Sequence, residues 1–196
     1  MMYKRYVKRI LDIFFSGVLL VILSPLFLYI SVWIKKDSKG PVFFRQIRIG
    51  KNHIRFKMFK FRSMFSDTPS EIPTALLEKP ESYITKSGVF LRKTSLDELP
   101  QLINIFKGDM SFVGPRPALW NQDDLIELRQ SSGVNDFIPG LTGLAQVNGR
   151  DELPIPLKVE YDTEYARNNT FINDLKILQK TITNVILQKG IKEGRW

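Results

Sequence analysis

The feature that most constrains the fold is an apolar run from Ile10 to Ile34, fenced by Lys4, Arg5, Lys8 and Arg9 before it and by Lys35 and Lys36 after it. At about 1.5 Å per residue, a straight helix of this length would just cross a bilayer. Three features argue against a plain span. Pro25 interrupts the run near its middle, and the Ser24 hydroxyl before it can satisfy a carbonyl freed by the kink. Asp12 lies inside the run, within pairing reach of Arg9 or Lys8. Basic residues flank both ends, so the positive-inside rule gives no orientation. A transmembrane anchor and a helix that bends at Ser24-Pro25 and returns to the same face are evenly matched on these residues. A cleaved signal peptide fits less well, because the run is long and no small-residue cleavage site follows it. Tyr29 and Trp33 suit the membrane interface in either topology.

With 196 residues, the chain has room for one domain beside this element, and 43% hydrophobic residues can supply its core. The net charge of +9 points to anionic partners: nucleic acid, anionic lipid or phosphorylated small molecules. The absence of cysteine excludes disulfides, thiol catalysis and thiolate zinc sites. A single histidine, His53, leaves no material for a histidine metal cluster and argues against a Ser-His-Asp triad. Any metal must be held mainly by oxygen, which favours magnesium.

After a turn at Ser38-Lys39-Gly40-Pro41, the residues predict a strand near Val42–Gln46 and another from Ile54 to Phe61. Arg45, Arg48, Lys51, Arg55, Lys57, Lys60 and Arg62 fall between Val42 and Met64 with no acid among them, interleaved with phenylalanines. Their parity changes between Lys57 and Lys60, which implies a bulge or basic residues on both faces. Membrane-surface contact with one or two phosphate ligands is the preferred reading, and stacking of nucleic-acid bases competes with it. Residues 66–87 look like a loop-rich insertion with a short helix near Ala75–Glu78. Val89–Arg92 leads into the next motif in helical or extended form.

That motif is Thr94-Ser95-Leu96-Asp97-Glu98-Leu99-Pro100. Leu99, Leu102, Ile103, Ile105 and Phe106 recur at helical spacing, and Gly108 is a natural stop. The structural reading is a capping box, with Ser95 as N-cap and Glu98 reaching back to its amide. Pro100 disfavours it, falling too deep in such a helix for its missing N–H to be free of cost. A helix begun at Asp97 tolerates Pro100 and places both carboxylates at the positive end of the dipole, which favours their ionised forms. An ionised aspartate beside a metal-bound diphosphate can attack phosphorus while its neighbour holds the metal. Arg116 stands between Pro115 and Pro117, which lower the cost of ordering it as a phosphate clamp. Pro139–Arg150 is a glycine-rich loop with a brief strand that matches no Walker or Rossmann spacing. Helices follow over Pro156–Ala166 and from Asp174, as N-cap, to Lys189.

Taken together, Lys8-Arg9-x-x-Asp12, Ser24-Pro25, Lys60–Met64, Leu91–Gln101, Gly108–Pro117 and Pro139–Arg150 resemble the bacterial sugar transferases, and more closely the small monotopic polyprenyl-phosphate phosphoglycosyl transferases. The resemblance runs in order from Lys8 to the last helix, and only 66–87 carries no matching motif. It implies an α+β fold: a re-entrant membrane helix over 1–36, broken at Ser24-Pro25, and a mainly helical catalytic domain with short strands over 37–196. It implies transfer of a sugar 1-phosphate from a UDP-sugar to polyprenyl (undecaprenyl) phosphate, releasing UMP through a covalent aspartyl-phosphosugar. Asp97 then becomes the nucleophile, and Glu98 its acidic partner and metal ligand. Lys60, Arg62, Arg92, Arg116 and Arg150 become ligands for phosphate or nucleotide. Magnesium, or manganese in its place, is implied as cofactor. The expected setting is the cytoplasmic face of the bacterial inner membrane, without nucleic acid and with a homodimer left open. Asp109 and Asp162 are further carboxylates that the resemblance does not rank.

Two other classes compete. A membrane-anchored basic binding module would show steep salt dependence and no loss on removing Asp97, but the acidic pair suits it poorly. A magnesium-dependent phosphatase acting on lipid diphosphates would differ in needing no acceptor.

Overall fold

The computed structural model describes residues 3–69, 77–149 and 153–187. The apolar run forms two helices, α1 (Lys8–Ile22) and α2 (Ser24–Asp37), bent by 61° where they meet at Leu23. Pro25 sits in the first turn of α2, where its missing N–H is no loss. The Ser24 hydroxyl donates to the Val21 carbonyl at 2.8 Å. Among the described residues no single helix is long and apolar enough to cross a membrane, whereas the bent pair passes that test together.

Each helix of the bent pair has an inner face. Leu19, Leu20 and Leu23 pack on Phe56, Met58, Leu102, Ile105 and Met110, while Ile30 and Ile34 are buried with Phe61 and Leu91. The outer faces leave Ile10, Phe14, Val18, Val21, Ile22, Leu28 and Tyr29 exposed. The composition change near residue 36 is therefore crossed by continuous packing.

Polar groups at the foot of α1 fasten it to the domain. The charges of Lys8 and Arg9 still act on Asp12, as expected, while all three residues also take partners from other elements. Asp12 Oδ1 accepts from the Phe112 amide at 3.1 Å, and Lys8 pairs with Asp174. Arg9 donates to the carbonyls of Ile105 (2.6 Å) and Phe106 (2.9 Å) at the end of α4 (Gln101–Lys107). Carbonyls in a last helical turn lack intrahelical donors and attract cations, which explains the Arg9 contacts.

Strands β1 (Phe43–Ile49) and β2 (Arg55–Phe61) pair antiparallel from Phe43↔Phe61 to Ile49↔Arg55 with no skipped residue. The parity change thus reflects basic residues on both faces and not a bulge. Buried Asn104 staples α4 to β2, accepting from the Phe59 amide at 3.0 Å and donating to the Lys57 carbonyl at 2.8 Å. The lead-in to the acidic motif is helical: α3 (Lys86–Lys93) is capped by Thr85, which accepts from the Gly88 amide at 3.0 Å. Asp37, at the end of α2, accepts from the Ser87 amide at 2.8 Å, so the bent helix pair also anchors α3. The helix expected near Ala75–Glu78 falls largely outside the described residues.

A second, parallel pair joins β3 (Ser111–Val113) to β4 (Gly140–Thr142). Here glycine is required by close approach, since a Cβ on Gly140 would stand 2.1 Å from the Gly114 amide nitrogen. The brief strand expected in the glycine-rich loop is β4, and the loop then turns into α6 (Leu144–Asn148). Between β3 and β4 lies α5 (Asp123–Ser131), which no sequence motif announces; α7 (Ile155–Arg167) and α8 (Phe171–Ile186) complete the domain. The N-cap of α8 is Thr170, whose hydroxyl accepts from the Asn173 amide at 3.3 Å. Asp174 is instead buried in the helix, accepting from Tyr3 (2.5 Å), Tyr165 (2.9 Å) and Lys8. Three donors from other elements outbid the capping role.

Candidate active site

Between α3 and α4 the chain makes a single 3₁₀ turn over Leu96–Glu98. Its i→i+3 bonds run from the Glu98 amide to the Ser95 carbonyl (3.2 Å), the Leu99 amide to Leu96 (3.2 Å) and the Leu102 amide to Leu99 (3.0 Å). This tighter winding accommodates Pro100, which becomes the N-cap of α4 in place of a helix begun at Asp97. Ser95 enters the turn at φ 57°, a left-handed conformation uncommon for serine, and its side chain makes no capping bond. The capping box is therefore absent, and Glu98 is available to the site.

Glu98 Oε1 accepts from Lys60 Nζ at 2.9 Å, and Arg116 NH2 lies 3.6 Å from the same oxygen. Asp97, only 7% exposed, shares this cluster. Burial is the main influence on its carboxyl and pushes its pKa up, Glu98 pushes the same way, and Lys60, Arg92 and Arg116 pull it back. Desolvation thus outweighs the helix-dipole effect expected from the sequence. Arg92 reaches from α3 toward the Ser63 hydroxyl at 3.4 Å. Four separate elements deliver Lys60, Arg92, Arg116 and the acidic turn to one place. Three cations face two carboxylates, a surplus of positive charge suited to a phosphoryl group.

The other sequence-derived residues are placed differently. Arg62 is buried, and its guanidinium donates to the Ser38 carbonyl at 2.8 Å, to the Lys39 carbonyl and to Ser66 Oγ at 2.9 Å. It caps the end of α2 and is committed there, because a buried guanidinium must find acceptors and the helix end supplies them. Arg150 lies outside the described residues. Asp109 accepts from Asn104 at 3.1 Å, and Asp162 is locked to Arg129 at 2.6 Å, so each has a structural partner. Arg48, Lys60 and Arg62 all turn inward, which takes three of the seven basic side chains out of the solvated run that base stacking would use. Arg48 and Arg129 grip the turn around Arg116, and the sequence carried no signal for either.

Comparison with known proteins identifies the family. The family described as "Bacterial sugar transferase" matches residues 3–188, and the chain belongs to it. It is 39% identical over 199 residues to the exopolysaccharide production protein ExoY of Rhizobium meliloti, covering 93% of this chain and 87% of that one. It is 38% identical to the undecaprenyl-phosphate galactose phosphotransferase of Salmonella typhimurium, over 95% of this chain and 42% of that one. To the UDP-glucose:undecaprenyl-phosphate glucose-1-phosphate transferase of Klebsiella pneumoniae it is 41% identical, over 93% of this chain and 41% of that one. The chain thus spans nearly all of ExoY and less than half of the two named transferases.

Proposed function

We propose that this protein transfers a sugar 1-phosphate from a UDP-sugar to polyprenyl phosphate, releasing UMP, as an early membrane step in polysaccharide assembly. The observation that carries the reading is the buried Asp97 beside Glu98, ringed by Lys60, Arg92 and Arg116. In the first half-reaction an Asp97 carboxylate oxygen bonds to the sugar-bearing phosphorus, and the bond from that phosphorus to the UMP oxygen breaks. UMP leaves with the electron pair. In the second, an oxygen of polyprenyl phosphate bonds to the same phosphorus and Asp97 departs as carboxylate. Arg116 and Arg92 neutralise the equatorial oxygens, while Lys60 keeps Glu98 oriented.

The donor set fits magnesium. Glu98 is a hard carboxylate donor beside Asp97, the ligand class magnesium takes while keeping water and substrate phosphates. Glu98 would hold it, and the ion would supply charge neutralisation on the diphosphate. The test is UMP release from a panel of UDP-sugars, with and without polyprenyl phosphate. One UDP-sugar should give sustained release only with acceptor; EDTA should stop it and magnesium restore it. Sustained release without acceptor would indicate a hydrolase, and full turnover in excess chelator would remove the metal.

The hairpin is read as re-entrant, with the catalytic domain on the cytoplasmic face. The 61° bend, the exposed outer faces of α1 and α2, and the exposed Phe171, Leu175, Ile182 and Ile186 of α8 support a shallow seat in one leaflet. The chain has no native cysteine, so Tyr6→Cys and Lys39→Cys each give a single label site. Both should react with an impermeant thiol reagent only from the cytoplasmic side; labelling from opposite sides would establish a span.

A further inference from the structure

The Pro115-Arg116-Pro117 turn belongs to no helix or strand, yet its arginine must hold one position beside Glu98. Two arginines from other elements grip its carbonyls. Arg129 of α5 donates from NH1 to the Arg116 carbonyl at 2.8 Å, and from Nε and NH2 to Asp162 Oδ2 of α7 at 3.0 and 2.6 Å. Arg48 of β1 donates from NH1 to the Pro117 carbonyl at 3.0 Å. Arg129 and Asp162 are 5% and 1% exposed, and Asp162 Oδ1 has no hydrogen-bond partner. A buried ion pair with an unsatisfied oxygen is a poor stabilising device, since its desolvation offsets its attraction and apolar residues would fill the space as well. Its distinctive product is the fixed direction of one guanidinium N–H toward the backbone of Arg116.

We infer that Arg129, held by Asp162, is a positioning residue that sets Arg116 for the diphosphate; the inference rests on the transfer reaction proposed above. In this role Arg129 acts through the Arg116 carbonyl. Asp162 fixes the plane of the Arg129 fork, leaving NH1 to reach that carbonyl. Lysine, a single ammonium on a flexible stem, cannot do both.

The test is a double-mutant cycle on the full-length protein in detergent or lipid, read as kcat/KM for UMP release and as thermal midpoint. Arg129→Met combined with Asp162→Leu removes the pair without stranding a buried charge, and Arg129→Lys serves as a second probe that keeps the charge. In the wild-type background each should lower kcat/KM by roughly 10–100-fold, the loss typical of a catalytic group misplaced by about 1 Å. In an Arg116→Ala background the same changes should cost less than about twofold, because the group they position is gone. The paired apolar variant should melt at or above the wild-type temperature. Equal losses in both backgrounds would assign the pair to the scaffold and overturn the inference, as would wild-type kcat/KM in both Arg129 variants. Absence of UMP release by the wild type with every UDP-sugar would defeat the transfer reading itself, and the inference with it.

Discussion

Asp97→Asn should abolish transfer, by roughly 10⁴–10⁶-fold as for loss of other covalent nucleophiles, while the protein folds and melts no lower than wild type. The first half follows from the loss of the nucleophile, the second from where Asp97 sits. Asp97 is buried, and burial raises its pKa above that of an ordinary carboxyl despite Lys60, Arg92 and Arg116. A carboxyl whose folded pKa is raised costs folding energy when ionised. That cost is absent below its unfolded value, about 3.9, and grows as pH rises toward the folded value. At neutral pH the asparagine relieves it. A helix cap or structural anion would behave oppositely, losing stability on the same change. Calorimetry of wild type and variant at pH 7 and pH 4 checks the sign: the variant's advantage should shrink at the lower pH.

Glu98→Gln should lower kcat by roughly 10²–10³-fold, the range for removing one preorganised charge-stabilising group. The amide oxygen can still accept from Lys60, which now reaches Glu98 at 2.9 Å, so the local geometry survives. What is lost is the negative charge that holds Lys60 and Arg116 on one oxygen and, in the proposed mechanism, draws the cation to the diphosphate. Activity of the variant should rise with magnesium at concentrations that saturate the wild type. Activity within a few-fold of wild type, with an unchanged magnesium dependence, would reduce Glu98 to a spectator. Glu98→Asp serves as the companion: it keeps the charge but shortens the reach, and it should be impaired without the altered magnesium response.

Local chemistry was legible in the sequence wherever a residue's type restricts its backbone or its partners. Ser24-Pro25 announced the break, Gly108 the end of α4, and the Pro100 conflict showed that Ser95–Glu98 is not a capping box. Arg116 stands out by its flanking prolines, Lys60 and Arg92 by the family resemblance, and the fold brings all three to the acidic pair. Long side chains with several candidate acceptors were the ones misread. Arg62 went to the end of α2 and Lys8 to Asp174, because those partners are far away in sequence and invisible to spacing. Asp174 looked like an N-cap for the same reason: its true donors, Tyr3, Lys8 and Tyr165, arrive from other elements. The direction of the Asp97 pKa shift is not legible in the sequence, because a helix dipole can be read from residue order, whereas the depth of a carboxylate cannot.

The central claim is that Asp97 becomes covalently attached to the sugar phosphate. Wild-type protein incubated with its UDP-sugar alone, quenched in acid and digested, should carry the mass of one phosphosugar on the peptide containing Asp97, with one UMP released per adduct. Adding polyprenyl phosphate before the quench should erase it, and Asp97→Asn should never show it. If transfer proceeds at full rate yet no adduct forms, or the adduct maps to another residue, the two-step displacement at Asp97 is wrong.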